Sequence, residues 1–452
     1  NHPNSPSQAT ARTMNRRLGL LLTLATAAVL AQQQILLGRP PRLVQIKPQH
    51  LHSGSAGLDL NFSRPMDLNT VKARSDLNPA LRHRWIGNHA ALRLILNPNK
   101  AIAEPIELKL AGRDLRSQGL KPQTWWWDPR PWLLINRTTN NGQQLQLQER
   151  DGQWTPISPT WTRLNKIVPL GNGRGIAVVA SNDNRSEQIW LQPLEPKSIS
   201  QKPDSLLPPK PQAIQRLAKG DVLFAHLSSN LNGDLLIQTG GFLPKSEKNE
   251  LVLANGQRRE INVRSAGPME LLPGGGGLVV PTYNGINLQP VINNNKTIQS
   301  LPGNRELGAF CAASGRALLI RHWPDYRRSI ELILPGIAPR QLWLGEEAVL
   351  GVACDSKGER IWAVIGKWTG EWAQHTILLM DSEGNELNRR LLTPWRMKGG
   401  TPLQLDPVGM RLLLTVSKKG QNSANPAFID AATLQWHKII PIEVEEAQLL
   451  NP

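Results

Sequence analysis

The chain has 452 residues, 40% of them hydrophobic, and carries 52 lysines and arginines against 35 aspartates and glutamates. This composition excludes a fully disordered chain, and the length exceeds what one ordinary core accommodates. The formal net charge of +17 favours polyanionic partners such as acidic polysaccharide, an anionic lipid surface or nucleic acid. The basic residues are dispersed in pairs such as Arg258-Arg259 and Lys418-Lys419, without a long basic run or recognition helix, which argues against nucleic acid.

The first predicted element is an export segment. We take Met14 as the true start and residues 1–13 as lying upstream of it. The positive Asn15-Arg16-Arg17 precedes the apolar stretch Leu18–Ala31, an order typical of a secretory signal peptide. The stretch is short for a membrane span, which needs ~20 residues, although extension through Ile35–Leu37 would allow an uncleaved anchor. Residues 14–31 are therefore predicted to be a signal peptide or inner-membrane anchor, in a periplasmic or extracellular protein.

After a linker at 32–42, residues 43–121 are predicted to form a small β-sandwich. Apolar and polar residues alternate there in three short segments, and turn signals such as Asn97-Pro98-Asn99 separate them. Period-two alternation indicates strands that bury one face. The alternating positions are Leu58, Leu60 and Phe62, then Leu92, Leu94 and Leu96, then Ile106, Leu108 and Leu110.

The same segment resembles a known family. The run Leu58–Asp67, which reads Leu-Asp-Leu-Asn-Phe-Ser-Arg-Pro-Met-Asp and is followed by Val71, resembles the hallmark of bacterial Ig-like domains of the surface-layer SbsA type. The close, Leu110–Leu115 followed by Gly119, is similar to the end of that family's pattern. The resemblance implies an extracytoplasmic spacer or adhesion module without catalysis.

The rest of the chain, 122–452, contains a repeat. A turn residue is followed by a short apolar run, a polar loop, a second apolar run and a tight turn. Repeats of about 40–50 residues built from strands are typical of a β-propeller. We therefore predict an all-β fold, with a propeller of seven blades and with six or eight as alternatives. The first apolar runs begin at Trp132, Ile176, Leu235, Leu278, Leu318, Ile361 and Leu412, at steps of 44, 59, 43, 40, 43 and 51 residues.

The segment Asp355–Trp362 resembles the strand starts of WD-like and Tol-type propellers, although the repeats lack the Trp-Asp signature of true WD repeats. One long interruption, Pro193–Pro211, holds six prolines and is interpreted as an extended surface loop.

Cys311 and Cys354 are the two cysteines, and they occupy equivalent places in neighbouring repeats. Export would permit a disulfide between them, which would join two adjacent blades. Two buried free thiols are the alternative, because equivalent points on adjacent blades can lie beyond the ~7 Å that a disulfide spans.

The loops between the two apolar runs of each repeat are predicted to emerge on one face of the ring. Aromatic and basic side chains concentrate in two of these loops, and Trp beside Arg or Lys suits a sugar ring or an anionic polymer. Packing between blades is the alternative role for these tryptophans. The candidate ligand-binding residues are His322, Trp323, Tyr326, Arg327, Arg328, Lys367, Trp368 and Trp372.

The sequence shows no catalytic motif. The Gly-x-Ser-x-Gly elbow of exported peptidases is missing, and His50-x-His52 lacks a third ligand that would make a metal site. No metal, cofactor or catalytic residue is therefore predicted. The expected function is an exported binding or scaffold protein that contacts a protein partner or an anionic envelope polymer. A glycan-active hydrolase or lyase is the alternative, with Asp183, Asp325 and Glu371 as the carboxylates to test.

Overall fold

A computed structural model describes residues 8–49, 56–88, 90–181, 186–218, 220–241, 246–291, 298–312, 314–334 and 336–452. It begins with one helix, Gln8–Gly38, in which the described side chains, 19–34, are all exposed. Leu20 and Leu21, for example, are 64% and 65% exposed. Within the described ranges, no helix combines the length and apolar character that crossing a membrane requires.

The chain next forms two four-stranded antiparallel sheets, here called the two-sheet unit, with the short helix Leu68–Arg74 at one edge. Asp67 caps that helix by accepting a hydrogen bond from the Asn69 backbone N–H at 3.0 Å. One sheet contains Leu43–Gln49, Ala56–Phe62, Ala91–Leu96 and His83–Asn88. The other contains Ile199–Ser200, Gln123–Trp127, Ile106–Leu110 and Asp76–Asn78.

The two sheets bury one apolar core between them. All three alternating segments contribute to it, and Leu58, Leu94 and Ile106 are fully buried. The alternation arises because side chains of a strand point to opposite faces of its sheet, so every second residue reaches the core.

The boundary of the two-sheet unit lies later in the chain than residue 121. Gln123–Trp127, assigned from sequence to the repeat region, pairs with Ile106–Leu110 and thus belongs to the two-sheet unit. Within the proline-rich interruption, Ile199–Ser200 adds to the free edge of Gln123–Trp127. An open sheet edge offers unpaired backbone N–H and C=O groups, and Ile199–Ser200 pairs with them. Part of the interruption is therefore a strand that connects the repeat region to the two-sheet unit.

Seven antiparallel sheets follow in chain order, numbered here sheet 1 to sheet 7. Sheet 1 contains Glu446–Leu450, Trp132–Thr139, Gly142–Gln148 and Trp154–Trp161. Sheet 2 contains Arg163–Pro169, Gly175–Ser181, Glu187–Glu195, Lys210–Pro211 and Gln215–Arg216. Sheet 3 contains Phe224–Ser229, Leu235–Gly240, Lys248–Val252 and Arg258–Glu260. Sheet 4 contains Glu270–Leu271, Gly277–Thr282, Gly285–Pro290 and Gln299–Pro302.

Sheets 5 to 7 continue the pattern of a first, second, third and fourth strand. Sheet 5 contains Arg305–Cys311, Arg316–His322, Arg328–Ile333 and Arg340–Gly345. Sheet 6 contains Ala348–Cys354, Arg360–Trp368, Ala373–Asp381 and Glu386–Leu391. Sheet 7 contains Trp395–Met397, Gln404–Asp406, Arg411–Lys418, Ala424–Asp430 and Trp436–Ile439. A 3-10 turn at Pro203–Ser205 lies within the interruption.

Sheet 1 combines the two ends of the repeat region. Glu446–Leu450, at the end of the chain, pairs with Trp132–Thr139, some 310 residues earlier. The seven apolar runs identified in the sequence all lie in the second strands of these sheets. Each second strand is flanked on both sides within its sheet, which explains its near-continuous apolar character.

Apolar clusters fill the junctions between successive sheets, and hydrogen bonds supplement several of them. In five cases among the described residues, a side chain of one sheet accepts from the backbone N–H of a strand in the next. Because a buried N–H without a partner is costly, these bonds help fix neighbouring sheets. The pairs are Gln143 with Leu164 (2.7 Å), Ser228 with Leu271 (2.9 Å), His375 with Met397 (2.9 Å), Thr415 with Ala447 (3.0 Å) and Gln404 with Leu449 (2.7 Å). Burial, with a smaller contribution from Arg396, lowers the pKa of His375 to about 4, so its Nδ1 remains an acceptor at neutral pH.

The junction between sheets 5 and 6 also carries a covalent link. Cys311, at the end of the first strand of sheet 5, is bonded to Cys354, at the end of the first strand of sheet 6. Their Cα atoms are 5.6 Å apart, within the range that a disulfide spans.

Candidate binding face

The sheets give the repeat region two distinct faces. Loops between second and third strands, and the connections from one sheet to the next, lie on one face, here called the loop face. Hairpins between first and second strands lie on the other, the hairpin face. The two-sheet unit contacts the hairpin face, where the Ile102 N–H donates to the Val408 carbonyl at 3.0 Å and Val408 joins the core of the unit.

A buried carboxylate holds this contact together. Asp128 accepts hydrogen bonds from Arg130 at 2.7 Å and from Arg150 at 3.0 Å. Arg150 lies in the turn between the third and fourth strands of sheet 1. These two cations lower the pKa of Asp128 against the opposing effect of burial, while burial lowers the pKa of Arg150 to about 10. Beside this contact, residues of the unit and of the hairpins enclose a cavity of about 560 Å³. The contacts of the unit with the repeat region that are named here, all between described residues, lie at the hairpin face.

The candidate residues of sheet 5 differ in how far their side chains are exposed. Trp323 is half-buried, because its indole N–H donates to Ser329 Oγ at 2.9 Å and the Arg321 guanidinium lies 3.6 Å from its ring centre. Tyr326, by contrast, is 89% exposed at a turn position with φ of +66°. Arg327 beside it is exposed as well. Tyr326 and Arg327 are therefore the members of this group that a ligand could reach.

The other two candidates of sheet 5 lie at the base of the loop. His322 and Arg328 face each other across the second and third strands. The His322 Nε2 atom is 3.2 Å from Glu306, so this imidazole already has a partner.

In sheet 6, Lys367 and Trp368 end the second strand, and both are exposed, Trp368 by 68%. Trp372 is half-buried, and the Lys419 ammonium of sheet 7 lies 4.6 Å from its ring centre. The structure thus brings Trp372 together with a base of the next loop, a contact that the sequence did not reveal. Cation–π contacts of this kind hold a side chain in place at a modest free energy.

Of the carboxylates proposed from sequence, the structure describes Asp325 and Glu371. Asp325 is exposed, and Arg327, 2.7 Å away, lowers its pKa through a hydrogen bond. A carboxylate held in its charged form makes a poor general acid. Glu371 is exposed. Asp183, His50 and His52 lie outside the described residues. Among the described residues, no group of three His, Cys, Asp or Glu side chains could hold a metal ion.

A second group of titratable residues lies on first strands of several sheets, and sequence reasoning missed it. Burial raises the pKa of Glu270, in sheet 4, and of Glu446, in sheet 1, and Lys166 of sheet 2 opposes both shifts. Lys166 also lowers the pKa of His226, in sheet 3, although burial there has the larger effect. Lys166 and these three residues, whose shifts share its charge as one cause, are here called the Lys166 cluster.

Hydrogen bonds orient part of this cluster. Gln448 donates to Glu446 and, at 3.0 Å, to the Ile167 carbonyl of the next sheet. Ser228 contacts Glu270 and accepts from the Leu271 N–H. No local motif could have revealed this group, because its members come from four different sheets and approach one another only in the folded protein.

The seven successive antiparallel sheets and the pairing of the last strand with the first repeat define the class of protein, a β-propeller-type protein. No family in the protein-family comparison matches the sequence, and no curated protein matches it.

Solved structures with a similar fold include TolB from Acinetobacter baumannii, with 12% identity, TM-score 0.42, and coverage of 78% of this chain and 81% of that one. An uncharacterised protein, lmo1340, from Listeria monocytogenes EGD-e is similar over 70% of this chain and 93% of its own, with 10% identity and TM-score 0.48. The β-propeller domain of the Trilobed protease from Pyrococcus furiosus covers 77% of this chain and 92% of its own, with 10% identity and TM-score 0.40. At these values the likeness carries no argument about activity.

Proposed function

We propose that this protein is an exported cell-envelope binding protein, in which an Ig-like spacer carries a seven-bladed propeller whose loop face binds an anionic polysaccharide. One observation carries the proposal. Two neighbouring loops of the loop face each present a largely exposed aromatic side chain next to an exposed base: Tyr326 with Arg327, and Trp368 with Lys367.

These pairs combine two kinds of attraction that an acidic sugar polymer offers. An aromatic ring stacks on the apolar face of a sugar, and a neighbouring base attracts its carboxylate or sulfate. The Arg327–Asp325 pair is exposed and therefore contributes little stability, so Arg327 can exchange that partner for a ligand at small cost. The net charge of +17 adds a long-range attraction for any polyanion.

The export part of the proposal is supported by the N-terminal helix. Its described apolar side chains, including Leu20, Leu22 and Val29, are more than half exposed. Apolar residues with no packing partner in the folded protein suit a segment that acts in targeting.

Binding to the loop face is expected to depend on Trp368 and on salt. Trp368→Ala should weaken the affinity for an acidic polysaccharide about tenfold, the loss expected when a stacking aromatic is truncated. Trp368→Phe should retain most of the affinity, and raising the salt from 50 to 500 mM should weaken binding of the parent chain steeply. Calorimetric titrations of the protein with polysaccharides that carry uronate or sulfate groups measure all three effects.

The matched control for charge is Lys357→Ala. Lys357 is exposed on the hairpin face, whereas Lys367 lies on the loop face, so only Lys367→Ala should weaken binding. Equal losses in the two lysine variants would refute the loop-face assignment. No binding at low salt would refute the polyanion proposal and leave a protein partner, to be sought by pull-down.

A glycan-active hydrolase or lyase is the second candidate function, and the Lys166 cluster favours it. Carboxyl groups with raised pKa suit general acid catalysis, and a lysine nearby suits charge stabilisation. If this function holds, Glu270→Gln or Glu446→Gln should abolish release of new sugar ends while leaving polysaccharide affinity within about twofold. If the binding function holds, the parent chain should release no sugar ends, and both variants should bind as the parent does. Assays that detect new sugar ends by their reducing power or by their ultraviolet absorbance, followed over several hours, distinguish the two functions.

A further inference from the structure

The junction between sheets 4 and 5 contains a cavity of about 900 Å³. Its buried wall is apolar and includes Val279, Ile286 and Leu319, which are 8%, 8% and 2% exposed. Its mouth includes the exposed side chains Leu288 and Ser300 of sheet 4 and the turn near Ile337 of sheet 5. The volume lies within the range of small-molecule sites.

The cavity exists because this junction is poorly filled. Its cluster contains three buried apolar residues among those described, whereas the other six junctions contain between seven and fifteen. Protein interiors are normally close-packed, and unfilled apolar volume is destabilising. A ligand that fills the space would therefore stabilise the ring.

The half of the junction nearer the loop face is polar and closed. Arg305 and Glu331 form an ion pair at 2.7 Å in which both side chains are about 5% exposed, and Arg321 lies 3.6 Å from the same carboxylate. The apolar half begins two residue pairs beyond Arg305 and Arg321 along the sheet, at Leu307 and Leu319. The ligand space is thus bounded on one side by an ion cluster and open on the other.

The chemistry of the lining selects an aliphatic chain. Arg316 is the charged residue of the lining, and its guanidinium is directed to the Gly358 carbonyl of sheet 6, at 3.4 Å. A peptide in this space would bury backbone N–H and C=O groups among leucine, isoleucine and valine side chains, at a cost of several kcal/mol each. A hydrocarbon chain has no such groups to satisfy.

We propose that this cavity binds the aliphatic chain of a single-chain amphiphile, with the polar head left at the mouth beside Gln299 and Ser300. This site is separate from the loop face. It recognises the chain by burial of apolar surface, so its affinity depends on chain length and hardly on salt.

The test uses straight-chain alcohols from hexanol to decanol, and the fatty-acid anions of the same lengths, with the full chain. The affinity should rise about fourfold per methylene and change less than twofold between 50 and 500 mM salt. Alcohols and anions of equal length should bind within a few-fold of each other, because the head lies outside. Each ligand should also raise the midpoint of thermal unfolding. Affinity that is independent of chain length, or that is confined to the anions and lost in salt, would overturn the proposal.

Variants locate the binding. Leu288→Glu places a charge at the mouth, and Ser300→Trp places a bulky ring there; both positions are exposed, so the variants should fold. Each variant should weaken the affinity for decanol at least tenfold. The matched control is Leu387→Glu, on the exposed outer strand of sheet 6, which should bind decanol as the parent does. Unchanged binding in Ser300→Trp and Leu288→Glu, or an equal loss in Leu387→Glu, would place the ligand elsewhere and refute the site.

Trp368→Ala should leave decanol binding unchanged, which separates this site from the loop face.

Discussion

Replacing Glu331 by alanine is expected to lower the free energy of unfolding by about 3–5 kcal/mol. The change leaves Arg305, whose side chain is 6% exposed, without its carboxylate partner and Arg321 without its nearest one. An uncompensated buried charge costs more than the pair itself contributes, because the guanidinium remains removed from water. Chemical denaturation at neutral pH measures the effect, with the slope of the transition checked for constancy.

Glu383→Ala provides the control for this prediction. Glu383 forms a similar ion pair with Arg340 at 2.9 Å, but the two side chains are 62% and 41% exposed. Water and salt screen such a pair, so its loss should cost less than about 1 kcal/mol. If the two glutamate variants lost similar stability, burial of the Glu331 pair could not be the source of the effect.

The second large effect is expected from the disulfide. Changing both Cys311 and Cys354 to serine should lower the free energy of unfolding by about 4 kcal/mol, because the bond closes a loop with a sequence separation of 43 residues in the unfolded chain. The eight other buried apolar residues of the same junction remain, so the variant should still fold.

Comparison with and without reductant tests the origin of that loss. The parent chain in reductant should approach the stability of the double serine variant, and reductant should not change the variant itself. If the free energy of unfolding of the double serine variant were within about 1 kcal/mol of that of the oxidised parent, the disulfide would not stabilise the protein by restricting the unfolded chain.

The repeat pattern predicted much of the architecture, because its cause is local. Second strands such as Ile361–Val364 are flanked within their sheet and packed on both faces, so their sequence is apolar throughout, and a turn glycine such as Gly358 precedes them. The hallmark at Leu58–Asp67 also coincides with a buried strand and a helix cap. The Ig-like family assignment and the number of blades stay predictions.

Pairings between distant segments were not predictable in this way. Nothing in Gln123–Trp127 distinguishes a strand of the two-sheet unit from the start of a repeat, because the hydrogen bonds that decide it lie on Ile106–Leu110. Ile199–Ser200 is only two residues long and carries no periodicity. Such segments acquire their structure from the edge they join.

The candidate binding residues show the same limit. Sequence grouped Trp323 with Trp368, but one is half-buried beneath Arg321 while the other is 68% exposed. The exposure of each ring depends on how the backbone places side chains such as Arg321 and Ser329 against it, and residue type alone does not contain that information. For the same reason the Lys166 cluster, assembled from four sheets, was not visible in the sequence.

The pairing of Glu446–Leu450 with Trp132–Thr139 has a consequence for how the chain is made. Sheet 1 cannot be completed until Glu446–Leu450 has left the ribosome, whereas every strand of the two-sheet unit except Ile199–Ser200 precedes the repeat region. Synthesis proceeds at about 5–20 residues per second, so the nascent ring stays incomplete for tens of seconds. If the protein is exported unfolded, as the proposed function requires, this delay keeps the ring open during passage, and the ring closes on the far side of the membrane.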